Sequence, residues 1–159
     1  MKRMRVKVEP GRMEKLLARS GWGAAFEEDD LRSVAERFWL ETAPEGEALF
    51  EQGDRDAYMG IIVDGAVDIS RRDGGGADRL ITTLGDGAVF GEMSVLDGQS
   101  RSASARVRKD LTMVVLTAED FGRLVVERPR LGLTLVRAVS RLVSLRLRQM
   151  DNLLEEYFG

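Results

Sequence analysis

The chain has 159 residues, 43% of them hydrophobic, enough to bury one sizeable core. It contains no histidine and no cysteine, so it lacks the usual ligands of zinc, haem and iron–sulfur clusters and the commonest acid–base and thiol catalysts. Its 24 basic and 27 acidic side chains leave a formal charge of −3, which argues against nucleic acid as the default partner.

A hard-cation site would need an Asp-rich loop, and none is present, so neither a metal nor another cofactor is expected. No apolar run approaches the ~18 residues of a membrane span, and Met1-Lys2-Arg3 is not followed by the apolar stretch of a signal peptide. The expectation is a cytoplasmic protein without a membrane partner.

Residues 1–27 read as a leader in which Met13, Leu16 and Leu17 share one face of a short helix, Met13 to Ala18. Asp29 or Asp30 is the candidate N-cap of a second helix, because Leu31, Val34, Ala35 and Phe38 follow at helical spacing to about Arg37. From Phe38 to Leu116 short apolar runs alternate with glycine turns such as Gly53-Asp54, Asp64-Gly65, Gly85-Asp86-Gly87 and Asp97-Gly98. Turns at intervals of about ten residues predict a many-stranded antiparallel roll. Its strands run through Gly60 to Val63, Val67 to Ile69, Leu80 to Thr82 and Met113 to Leu116.

Thr117-Ala118-Glu119-Asp120 resembles a capping box and starts a helix through Phe121, Leu124 and Val125. Pro129 punctuates it, and a longer helix follows from about Leu131 to Tyr157, about 40 Å long. Its apolar positions, among them Leu131, Leu135, Val139, Leu142, Val143, Met150 and Leu154, form a stripe too long for one small roll to cover. A second copy of the same helix is the simplest partner, so a homodimer is expected. The arginines between the apolar positions read as the wet margin of a packed helix and not as a nucleic-acid patch.

The segment with the most chemistry runs from Phe90 to Ala103. A short helical turn from Glu92 to Leu96 opens behind Gly91, leaving backbone amides for an anion, and Arg101 can return to the same spot with a bidentate fork. Glu92 sits beside that anion, where a carboxylate suits a sugar hydroxyl. A sugar phosphate satisfies both residues.

Phe90, Gly91, Glu92, Met93, Ser94, Arg101, Ser102 and Ala103 resemble, at the right spacing, the phosphate-binding cassette of cyclic nucleotide-binding domains. Such domains occur in catabolite-activator-type regulators, cyclic-nucleotide-dependent kinases and gated channels. The resemblance extends upstream to Phe50-Glu51-Gln52-Gly53-Asp54 and downstream to the final helix, about residues 28–157. It implies a leader over 1–27 and a cyclic nucleotide-binding domain over 28–159. The fold it implies is α+β, an antiparallel β roll of jelly-roll type with N-terminal helices and a C-terminal two-helix lid.

By the same resemblance, Glu92 accepts from the ribose 2′-hydroxyl and Arg101 pairs with the cyclic phosphate. Gly91, Ser102 and Ala103 offer amides, Met93 and Ser94 complete the cassette, and Ser102 can add a hydroxyl contact. Arg141, Leu142 and Arg146 are the candidates to close over the base. The implied function is a non-enzymatic sensor of cyclic AMP, with cyclic GMP the alternative, that moves its C-terminal helices about a hinge near Thr117 to Phe121. An unidentified downstream protein would take the output. Regulators of the family carry a helix-turn-helix after the long helix, and this sequence stops at Gly159, so direct DNA binding is not expected.

Two positions depart from the family. Gly60 stands where an aromatic residue is usual, predicting a loosened strand with Phe50, Tyr58 or Phe90 filling the gap. Ala66 replaces a commonly acidic residue. Met93 and Val95 are expected as core anchors, and Trp22 and Trp39 as covers of apolar surface. The rival readings are a nucleotide-free docking or dimerisation module on the same roll, and a cupin-type metalloenzyme, which fails for want of histidine.

Overall fold

A computed structural model of the chain describes residues 1–158. It opens with strand β1 (Met4–Val6), helix α1 (Pro10–Arg19), a 3₁₀ turn (Trp22–Ala25) and helix α2 (Glu28–Ala35). Strands β2 (Trp39–Ala43), β3 (Ala48–Phe50), β4 (Tyr58–Arg72), β5 (Asp78–Leu84) and β6 (Val89–Phe90) follow. Helix α3 (Glu92–Asp97), strand β7 (Ser104–Thr117) and helices α4 (Ala118–Glu127) and α5 (Pro129–Phe158) complete it. This is the expected α+β arrangement, an antiparallel sheet with helices at both ends of the chain.

The sheet is organised by its two long strands, which pair with each other along almost their whole length, from Tyr58 opposite Thr117 to Ser70 opposite Ser104. The other edge of β7 takes β2 and then β3, and the other edge of β4 takes β6 and then β5. Where residues 58–63 of β4 lie against residues 111–116 of β7, both faces of the pair are covered, and there the two sequences are near-continuous apolar runs. Met59, Ile61, Val63, Val114 and Leu116 face the helices, where they meet Met13, Leu17, Val34, Leu124, Leu131 and Leu135. The alternate residues Tyr58, Ile62, Met113 and Val115 point into the roll against Leu49, Phe50 and Phe90.

Several local expectations are corrected. The leader holds a strand, β1, which pairs antiparallel with β2 from Met4 opposite Thr42 to Val6 opposite Leu40. Helix α1 starts earlier than Met13, because Pro10 fills a first-turn position that needs no amide donor. Asp29 and Asp30 lie inside the first turn of α2, and the N-cap position is Glu27, with no side-chain cap. Asp30 instead receives both arms of Arg130 at 2.7 and 3.0 Å, a bidentate pair that ties α2 to α5. Those hydrogen bonds hold its carboxyl below the usual range. Pro129 opens α5 and does not merely break α4.

The strand at Gly60 is not loosened. A methyl group there would meet the Phe90 ring at 2.9 Å and the Met113 sulfur at 3.0 Å, so glycine makes room for Phe90. The Thr117 cap forms as expected, its hydroxyl accepting from the Asp120 amide at 3.1 Å. Asp120 also accepts the Trp39 indole N–H at 2.8 Å, so the half-buried Trp39 is anchored at its polar end. Among the described residues no helix is long and apolar enough to cross a membrane.

Candidate functional site

Arg101 reaches its place through its backbone. Its N–H donates to the Asp54 carbonyl and its own carbonyl accepts from the Gly53 N–H, both at 2.8 Å. The Asp54 carboxylate in turn accepts the Glu51 N–H at 2.9 Å. The Phe50-to-Asp54 segment is thus the mount on which Arg101 is fixed.

The Arg101 side chain is 3% exposed and makes one hydrogen bond, from Nη1 to the Gly91 carbonyl at 2.9 Å. Its Nε and Nη2 are buried without a partner. The guanidinium stacks on the Phe50 ring, 3.8 Å from the centroid, and lies 4.8 Å from that of Tyr58. Burial lowers its pKa from the ordinary value, as desolvation of a cation must. Two unpaired donors on a desolvated cation are costly, and an anion is the group that repays both costs.

Gly91 takes a left-handed backbone, φ 75°, to turn from β6 into α3. That turn brings Glu92, 4% exposed, into the same pocket. Arg146 of α5 pairs with the Glu92 carboxylate and donates to the Val89 carbonyl. The pocket is open-mouthed, with a cavity volume of about 210 Å³, and Glu92, Arg101 and Arg146 are the charged side chains that line it. Their sum is one positive charge.

The same pocket gathers Gly91, Glu92, Met93, Ser94, Arg101, Ser102, Ala103 and Arg146. Arg141 and Leu142 lie outside it: Arg141 is exposed, and Leu142 packs against the helix-side core. Met93 is 52% exposed and not the expected core anchor, whereas Val95 is 9% exposed and packs inward. The wall residues Ile69, Thr82 and Leu84 escape a motif-based reading. Period-2 alternation places Thr82 and Leu84 on one face of β5, and Ile69 stands opposite Thr82 in the ladder, a signal available only once the pairing is known. Among the described residues no group of three or more acidic side chains is placed to hold a metal ion.

Residues 40–128 match the family model for the cyclic nucleotide-binding domain. The chain is 36% identical over 129 residues to the cyclic AMP receptor protein of Thermus thermophilus, covering 81% of this chain and 57% of that protein. To a CRP-like cAMP-activated global transcriptional regulator of Mycobacterium tuberculosis it is 28% identical over 140 residues, 88% of this chain and 61% of that one. It therefore spans roughly three fifths of the length of these relatives. A crystal structure of a cyclic nucleotide-binding domain from Methylobacillus flagellatus superposes with a TM-score of 0.85, at 24% identity, over 99% of this chain and 91% of that one. The family match runs from the second residue of β2 to the start of α5 and contains both Glu92 and Arg101, and on it the chain belongs to the cyclic nucleotide-binding domain family.

Proposed function

We propose that this chain is a non-enzymatic sensor of a cyclic mononucleotide, cyclic AMP first. The observation that carries the reading is Arg101, buried with two unpaired donors on a pocket whose charged groups sum to one positive charge. A cyclic phosphodiester carries one negative charge and neutralises that sum. An open monophosphate carries about 1.5 to 2 and overshoots it. Glu92 takes the ribose hydroxyl, and the amides of Ser102 and Ala103 stand beside Arg101 for the phosphate. The names of the relatives support adenine, with cyclic GMP second.

Arg146 supplies the link to the C-terminal helices. It is the α5 residue in the pocket lining, and it occupies the Glu92 carboxylate that a ribose hydroxyl would use. Arg146 holds one oxygen of that carboxylate, Oε1, so ligand and helix share the group, and occupancy re-aims Arg146 and biases the position of α5. Calorimetry with cyclic AMP, cyclic GMP, a cyclic dinucleotide and 5′-AMP tests the reading. Saturable cyclic AMP binding is expected, at least roughly tenfold tighter than 5′-AMP, with ligand recovered unchanged and altered hydrogen exchange along α5. No binding of any cyclic nucleotide would overturn it in favour of a nucleotide-free docking module.

We also infer that α5 pairs with a second copy of itself. The apolar stripe divides into two faces. Leu131, Leu135, Val139 and Leu142 cover the chain's own core, while Leu133, Val136, Ser140, Val143, Leu147, Met150, Leu154 and Tyr157 recur at alternating spacings of three and four. That is the seam of a two-stranded coiled coil. Leu147, Met150 and Leu154 on it are 52–60% exposed in the single chain. Sedimentation at micromolar concentration is expected to give a dimer, and Leu147→Glu with Leu154→Glu a monomer of unchanged fold. A monomeric parent chain would refute the pairing.

A further inference from the structure

Glu41 of β2 is 1% exposed and lies outside the pocket. Its carboxylate receives Arg3 Nε at 2.7 Å and Arg5 Nε, the first from the residue just before β1 and the second from its centre. A buried ion pair is a poor way to stabilise a sheet edge, because an apolar residue would do as well without the desolvation cost. What the arrangement does supply is placement. Arg3 extends past Glu41 to the Leu49 carbonyl at 3.1 Å and the Tyr58 hydroxyl at 3.2 Å. The Arg5 guanidinium lies 4.7 Å from the centroid of the Tyr58 ring. Tyr58 meets Phe50 edge-on, centroids 5.8 Å apart, and these two rings are the wall behind Arg101.

Arg101 has one side-chain hydrogen bond of its own, so the ring wall does most of the work of holding its fork in one orientation. We propose that Arg3 and Arg5, tied to Glu41, are positioning residues for the anion site: they brace the Tyr58–Phe50 wall that aims Arg101. The proposal rests on the reading of Arg101 as the phosphate ligand. It makes the N-terminal strand part of the binding apparatus although none of its residues lines the pocket. Burial pushes the Tyr58 phenol up to about 12, so it stays a neutral hydroxyl able to accept from Arg3 while facing Leu49.

The test uses the full chain with Arg3→Met and, separately, Arg5→Met, since either loosens one side of the wall while leaving Glu41 a partner. Exchange of the Arg101 Nε proton, followed by nitrogen-15 NMR without ligand, is expected to quicken roughly tenfold or more, and cyclic AMP affinity to fall roughly tenfold. In an Arg101→Lys background the same replacements are expected to change affinity less than about twofold, because the group they position is gone. A general loss of packing would instead cost equally in both backgrounds. An unchanged Arg101 proton exchange in both variants would overturn the brace. A parent chain that binds no cyclic nucleotide, but whose Arg101 exchange still responds, would leave the brace standing and sink the ligand reading.

Discussion

Arg101→Ala is expected to weaken cyclic AMP binding by about thirty-fold to a few thousand-fold, or roughly 2 to 5 kcal/mol. The size follows from how the side chain is held. A solvent-exposed arginine would give up little, because water takes its place, but Arg101 is 3% exposed and its Nε and Nη2 have no partner. Ligand phosphate would be bound by donors whose desolvation has already been met during folding. The same logic predicts that stability without ligand falls much less than affinity, since the truncation removes two unsatisfied donors along with the stack on Phe50. Calorimetry and urea unfolding on the same variant separate the two quantities. A loss of affinity below about threefold would remove Arg101 from the site.

Gly91→Ala should be nearly as damaging, through geometry and not charge. The residue sits at φ 75°, and a β-carbon there would lie 2.6 Å from the Tyr58 carbonyl oxygen and 2.8 Å from Arg101 Nη1. A left-handed backbone costs alanine about 1 kcal/mol, and the clash adds more because the carbonyl belongs to β4 and cannot swing away. We expect about 2–4 kcal/mol less stability by urea unfolding and at least tenfold weaker cyclic AMP binding. Gly98→Ala separates the two causes: its φ is 69° but nothing lies within 4 Å, so it should show the backbone cost alone.

The features legible in the sequence are those fixed by short-range geometry. The Thr117 cap needs only a residue three places on, and Glu92 opens the short helix α3 while Arg101 lies in the loop that follows it, so spacing along the chain reports their proximity. The features that were missed depend on how distant elements dock. Strand β1 has three residues with polar Arg5 at its centre, and it exists because Arg3 and Arg5 find Glu41 some forty residues away. Asp30 looks like a cap on local grounds, but Arg130, a hundred positions on, claims its carboxylate. Met93 reads as core because it is apolar and shares a short segment with Val95 and Leu96, yet the direction in which α3 leaves Gly91 turns it outward.

Helix α5 illustrates the limit best. A hydropathy pattern gives the existence of an apolar stripe but not its phase against a particular sheet. Leu133 and Leu147 therefore drop out of a stripe that is really two, and Arg141, Leu142 and Arg146 cannot be ranked. Once Leu131 and Leu135 are seated on the core, Arg146 falls at the pocket and Leu142 at the sheet.

Arg146 and Leu147 are consecutive on that helix, about 100° apart around its axis. A twist that withdraws the first from Glu92 also re-aims the second, and with it the stripe offered to a twin chain. In a paired molecule the filling of one subunit would alter the footing of the other. The steepness of the saturation curve, and the Hill coefficient read from it, would then be properties of the pair.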